Sequence, residues 1–250
     1  TLNKSIGQHF DWRGAAYLAL LGLPFVLILV SLMLGLYGIS IENVARALLS
    51  PIFPTLAQGI SDTELTLVLR IRLPRVLAAG LIGAALAGTG VAFQGIFKNP
   101  LVDSNLLGVT SGAGFGAALA LLLGASAAMI QMSAFAFGLI AVSLAYFGSR
   151  LYNTAPMIVL TLMGILIGSF FGSLTSLLKY VADPLNTLPA ITFWLLGGLT
   201  GVTWPSVPVL AALTIGGGIF LWLVRWRLDI RSLGDAEAPT LGMNPFRPQL

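Results

Sequence analysis

The sequence predicts an all-α fold, a polytopic transmembrane helical bundle, on three observations. Apolar residues make up 57% of the 250 and charged residues 9%, against roughly 25% charge in a soluble domain. Residues 76–97 run for 22 positions without a charge, and at about 1.5 Å per residue such a helix spans a hydrocarbon core of about 30 Å. Small residues recur at every fourth position of several apolar runs, the pattern that lets helix backbones approach closely in lipid.

The elements follow in chain order. The first apolar run, 14–37, comes after Lys4, Trp12 and Arg13. It is longer than a signal-peptide core and lacks a small-residue cleavage site, so it reads as a retained span. The second, 76–97, carries Gly80, Ala84 and Gly88, and the third, 106–124, carries Gly108, Gly112, Gly116, Ala120 and Gly124. The fourth occupies 127–148. The fifth, 156–178, combines Gly164, Gly168, Gly172 and Ser176 with a hydroxyl line of Thr161, Ser169, Ser173, Thr175 and Ser176. Such a line either wets a pathway or bonds its own helix carbonyls, and both readings stand at this point. The stretch 191–204, ITFWLLGGLTGVTW, is apolar but too short to cross. Its Trp194 and Trp204 suit an interfacial level, so a short helix lying at the membrane face is expected there. The sixth run is 206–224. About six spans result, in a single domain over 1–250, joined by polar or Pro- and Gly-bearing segments at 61–64, 99–105, 150–156 and 182–189.

The positive-inside rule orients this bundle. With the N-terminus cytoplasmic, Lys4, Arg13, Lys98, Arg150, Arg225, Arg227, Arg231 and Arg247 lie inside, against Arg46, Arg70, Arg72, Arg75 and Lys179 outside. Eight against five favours that orientation. Three of the exceptions, Arg70, Arg72 and Arg75, form one local cluster, which asks for a local reason.

Composition also excludes chemistries. There is no cysteine, and the single histidine, His9, lies in the polar N-terminal stretch, so thiolate and histidine metal sites are set aside. The positive charges form no Lys/Arg run, which argues against nucleic acid as a partner. None of Lys4, Lys98 and Lys179 follows a glycine, so no P-loop is present and the chain does not hydrolyse ATP itself. Ser176-Leu-Leu-Lys179 matches S-x-x-K without its partner motifs, and Ser111 has no base to activate it. No span holds a central carboxylate, which counts against an ion-coupled carrier. The chain reads as a non-enzyme whose energy comes from elsewhere.

After the sixth run comes RWRLDIRSLGDAEAPTLGMNPFRPQL, with Leu-Gly pairs at 233–234 and 241–242. Glycine ends short helices in the left-handed region, so 235–241 fits one or two turns, limited by Pro239. An exposed cytoplasmic helix of this kind is a docking element; the alternative is a basic tail anchoring the last span.

Four segments together, RIRLPR at 70–75, GAALAGTGVAFQGIFKNPLVDSNLLGVTSGAGFGA at 83–117, FWLLGGLTGVTW at 193–204 and SLGDAEAPTLGMN at 232–244, resemble the FecCD-type permease subunits of bacterial type II ABC importers for iron-siderophores and cobalamin. The resemblance implies two permeases (a homodimer or a pair of paralogues), a cytoplasmic ATPase dimer holding ATP and Mg, and an extracytoplasmic substrate-binding protein. It places the chain in a bacterial or archaeal cytoplasmic membrane, with no cofactor of its own. By the same resemblance Arg72 and Arg75 meet carboxylates of the binding protein, and 225–250 couples to the ATPase through Gly234, Asp235, Ala238, Leu241 and Gly242. Asn99, Leu101 and Thr154 then lie near a cytoplasmic gate, and Thr161, Gly164, Gly168, Ser169, Gly172 and Ser173 line the path. The family carries about ten spans, four of them after the coupling helix, so a C-terminally incomplete permease is expected. The implied cargo is a metal chelate, ferric siderophore first, with cobalamin, haem or molybdate as alternatives. An ion-coupled secondary carrier or a membrane structural subunit is the more distant alternative.

Overall fold

The computed structural model describes residues 12–100, 102–103, 105–151 and 156–232, and among them every regular element is helical. These are α1 (Trp12–Met33), α2 (Ile41–Leu49), α3 (Asp62–Thr66), α4 (Leu73–Phe97), α5 (Val109–Leu122), α6 (Ala127–Arg150), α7 (Pro156–Val181), α8 (Thr187–Leu196) and α9 (Ser206–Ser232). A 3₁₀ turn at Pro54–Ala57 precedes α3, and a π-helical turn, Leu67–Arg72, joins α3 to α4.

Among the described residues, four helical stretches are long and apolar enough to cross a bilayer: Asp62–Phe97, Ala127–Arg150, Met157–Val181 and Ser206–Leu228. Ala19–Met33, Val109–Leu122 and Thr187–Leu196 are shorter apolar helices. The third expected span is therefore corrected. α5 has 14 residues, about 21 Å of helix against a core of about 30 Å. Its late start has a local cause. Asp103 accepts the Asn105 backbone N–H (2.9 Å), Thr110 donates to the Asn105 side-chain oxygen (2.5 Å), and Gly108 sits at φ +73, left-handed backbone that a helix cannot pass through.

The expected helix over 191–204 is corrected too. α8 begins earlier, at Thr187, and stops at Leu196 because Gly197 turns to φ +69, so Trp204 lies in the following loop. α2 and α3 add to the expected elements. Each starts on a serine cap: Ser40 accepts the Asn43 N–H, and Ser61 and Glu64 form a reciprocal capping box. The Asn43 side chain donates to both Glu64 carboxylate oxygens at 3.2 Å, tying α2 to α3.

The chain divides into two compact units, Thr1–Ala84 with Leu199–Thr214, and Ala85–Gly198 with Ile215–Leu250. The core of the first is Leu32, Ile39, Val44, Ala47, Ile60 and Val68. In the second, α5 packs on α6 and α7, which also pack on each other, and α8 packs on α5. Phe115, Phe137 and Phe171 close this three-helix core with ring centroids 5.0, 5.5 and 6.3 Å apart. A smaller cluster of Ala118, Ala182 and Ile191 seats α8.

Candidate functional site

The arginine cluster lies on and just after the π-turn of the first unit, and its three members differ. Arg72 donates from Nη1 to the Leu32 (2.7 Å) and Met33 (3.1 Å) carbonyls and from Nη2 to the Tyr37 carbonyl. The Leu32 and Met33 carbonyls are orphan acceptors at the end of α1, where the helix dipole favours a cation. Gly35 leaves the room for it: a Cβ there would lie 2.6 Å from Arg72 Nη2. Arg75 donates from Nη2 to the Thr200 carbonyl at 2.6 Å, while its buried Nε has no hydrogen-bond partner among the described residues. Arg70 is exposed. In the same unit the Trp204 indole N–H donates to the Leu69 carbonyl at 2.8 Å. The two arginines singled out from sequence thus lie within one helical turn of each other, each anchored to backbone of another segment.

The second candidate feature is α7. Gly164 and Gly168 face Gly108: a Cβ on Gly108 would lie 2.9 Å from both the Gly164 carbonyl oxygen and the Gly168 nitrogen, and one on Gly164 would run into the Leu106 carbonyl. These two glycines hold the 106–108 backbone against the helix. Ser169, Gly172, Ser173 and Ser176, spaced i, i+3, i+4 and i+7, are exposed on one face. The hydroxyls of Thr161, Ser173, Thr175 and Ser176 donate to the carbonyls of Met157, Ser169, Phe171 and Gly172 at 2.8–3.1 Å. Their protons are engaged, and their lone pairs remain to accept. The exposed face is therefore small, weakly polar and uncharged.

Asn99 sits in the turn that ends α4, its N–H bonded to the Gln94 carbonyl (3.2 Å) and its own carbonyl accepting from Val102 (3.3 Å). Leu101, Thr154 and the coupling positions Gly234, Asp235, Ala238, Leu241 and Gly242 lie outside the described residues. A groove of about 450 Å³ between α4 and α9 is lined by Gly88, Val91, Gly95, Leu221, Arg225 and Leu228, among others. At its rim Arg225 stacks on the Trp222 ring, 4.3 Å from the centroid. Between α7 and α8, Asp183 accepts the backbone and side-chain N–H of Asn186 at 2.8 and 2.9 Å, and these bonds hold its carboxyl below the ordinary carboxylate range.

An interfacial level for Trp204 is readable from its residue type, whereas its bond to Leu69 is not. Pro74 carries no N–H, but that absence bears on Leu69 only in the π-register that the structure shows, so the sequence alone holds no signal for the bond.

Residues 23–250 match the model of the FecCD transport family. The chain belongs to that family. It is 35% identical over 238 residues to the Molybdate import system permease protein MolB of Haemophilus influenzae, covering 91% of this chain and 68% of that protein. It is 40% identical over 179 residues to the Probable iron chelatin transport system permease protein of Helicobacter pylori, covering 72% of this chain and 54% of that one. The chain thus spans about two thirds of the first relative's length and about half of the second's. A solved chain described as an inward-facing conformation of a metal-chelate type ABC transporter superposes with a TM-score of 0.77 at 31% identity, over 92% of this chain and 68% of that one. The all-helical fold of this FecCD-family chain is therefore that of an ABC importer permease, and its apolar helices make it a multi-pass membrane protein.

Proposed function

We propose that this chain is a permease subunit of an ATP-binding-cassette importer that moves a metal chelate, a ferric siderophore first among them, into the cytoplasm by alternating access. The observation that carries the reading is the fold agreement with a metal-chelate type transporter over 92% of the chain. ATP and Mg belong to a partner ATPase that seats on 234–242, and a second permease completes the path. With the N-terminus cytoplasmic, the π-turn faces outward and its arginines meet carboxylates of a substrate-binding protein, which guanidinium forks recognise in fixed geometry. The exposed Ser169, Gly172, Ser173 and Ser176 face of α7 borders the path. A small, uncharged surface suits a bulky chelate whose charge is already neutralised by its ligand, because it grips no single group.

The test is reconstitution of the full transporter in proteoliposomes with its ATPase and binding protein, loaded with ferric siderophore. Uptake that requires ATP inside and binding protein outside is expected; uptake driven by an ion gradient without ATP would overturn the proposal. Replacing Arg72 and Arg75 by Glu should weaken binding-protein docking at low salt without blocking membrane insertion. A second reading, molybdate as cargo, is favoured by the 35% identity to the molybdate permease over 91% of the chain. The same vesicles supplied with molybdate and its binding protein separate the two.

A further inference from the structure

The arginine motif and the distant tryptophan are linked by a missing proton. In the π-turn the backbone bonds run five residues back: the Leu73 N–H bonds to the Val68 carbonyl. In that register the next acceptor, the Leu69 carbonyl, would take its bond from residue 74. Residue 74 is proline and has no N–H to give. Its ring is fully buried, so the side of the turn where that proton would lie is packed by carbon. A carbonyl left without a donor inside a partly buried turn is costly. The donor that arrives is the Trp204 indole N–H, at 2.8 Å, from 135 positions away in sequence.

We propose that Trp204 is a positioning residue of the binding-protein docking face, acting as the surrogate donor for the amide proton that Pro74 lacks. Its bond holds the π-register, and the register sets the direction in which Arg70 and Arg72 leave the helix. One residue of helix rotation is about 100° in α geometry, so returning the turn to α geometry would swing both guanidinium groups away from where they now stand. Arg72 would leave the α1 carbonyls it holds, and Arg70 would leave its exposed position. The Arg75 bond to the Thr200 carbonyl makes a second tie between the same two segments. The loop 199–204 therefore belongs to the docking face as structurally as the arginines do. The docking half of this inference rests on the reading given under Proposed function; the hydrogen-bond half stands apart from it.

The test uses the full transporter with three changes: Trp204→Phe, Pro74→Ala and the pair. A benzothienylalanine at 204, which keeps the indole shape and replaces N–H by sulfur, serves as a second variant that preserves packing. Losing the donor should weaken binding-protein affinity about tenfold, the size of one hydrogen bond to a group otherwise left unmet. Pro74→Ala alone should change affinity less than threefold, roughly, because Trp204 still donates. In the pair, the backbone N–H restored at position 74 replaces the lost donor, so most of the tenfold should return. Additive losses, or no loss on removing the N–H, would overturn the inference. Salt supplies a readout that packing alone would not move: affinity should fall with ionic strength in wild type and less steeply in the N–H-less variant, whose arginines are out of register. Amide exchange over 67–75 in the permease without binding protein should quicken in the N–H-less variant and slow again in the pair. If the wild-type permease binds no such protein, the docking reading fails, and the exchange data still decide whether the tryptophan sustains the turn.

Discussion

On α5, a methyl group placed at Gly112 would lie 2.6 Å from both the Phe137 carbonyl oxygen and the Ala141 Cβ, whereas on α4 one placed at Gly80, Gly83, Gly90 or Gly95 would meet nothing within 4 Å. The two helices carry glycines at comparable spacing and are similarly apolar. On α5, Gly112 and Gly116 are buried contact points where α6 passes at backbone distance, and the Ser133 hydroxyl bonds the Gly116 carbonyl across that contact at 2.7 Å. On α4 only Gly88 has a neighbour among the described residues, the Leu221 side chain of α9 at 3.6 Å, an ordinary contact, and the other four glycines are open. Small-residue stripes permit close approach without specifying what approaches. Among the described residues the α5 stripe is closed by backbone of a neighbouring helix, whereas the α4 glycines touch at most the tip of one side chain.

The largest effect that would sharpen this contrast is expected from Gly112→Leu. The added side chain has no room between α5 and α6, so the helices must separate or the chain must refold around it. Overpacking of this kind costs about 3 kcal/mol or more where backbone blocks the side chain. Thermal unfolding in detergent should show a large drop in midpoint or loss of a monodisperse species. A wild-type midpoint would show that the stripe is not a packing seam. Next is Gly164→Ala, whose Cβ is opposed by the Leu106 carbonyl and lies 3.0 Å from the Leu107 Cα. A single methyl against backbone should cost about 1–3 kcal/mol, read as a smaller fall in the same midpoint.

Gly95→Ala is the counter-experiment on α4. With open space around the new methyl, the change should be neutral or stabilising by up to about 1 kcal/mol, the helix-propensity difference. If it destabilises the full transporter as strongly as Gly164→Ala does, then a close neighbour covers that face in the assembled protein, and the contrast between α4 and α5 disappears on assembly.

These experiments also mark what is legible in the sequence. Helices at 76–97, 127–148, 156–178 and 206–224 are visible there because a long uncharged run in this composition has one stable form in lipid. The start of α5 is not, because it turns on the left-handed backbone of Gly108 and a side-chain network over 103–110. The capping box at Ser61 and Glu64 is readable in principle, being a four-residue signal, whereas α2 depends on packing Val44 and Ala47 into a core assembled from distant segments. Arg72 and Arg75 stand out by their clustering and by family likeness. Their bonds to the end of α1 and to Thr200 span 35–125 positions, and no local pattern announces an acceptor that far away.

The smallest effect is expected in a region where neither stripe takes part, the turn at Asp183. Its carboxylate accepts the Asn186 backbone N–H first and the Asn186 side chain second, and both favour the charged form, lowering its pKa from the ordinary 3.8. A carboxyl lowered on folding stabilises above its unfolded pKa, and that contribution is lost as pH falls through the lowered folded value. Asp183→Asn should therefore reduce the unfolding midpoint slightly at neutral pH, and the difference from wild type should vanish well below pH 3.8. The group is fully exposed, so solvent screens it and the effect stays below that of any packed glycine. α8 has other attachments: Ile191 is buried in the cluster with Ala118, and a Cβ on Gly114 would lie 2.9 Å from the Leu195 side chain. If the Asp183→Asn difference persisted in strong acid, the carboxylate charge would not be its cause. If it rivalled Gly112→Leu, polar turns rather than close-packed glycines would be holding this half of the chain together.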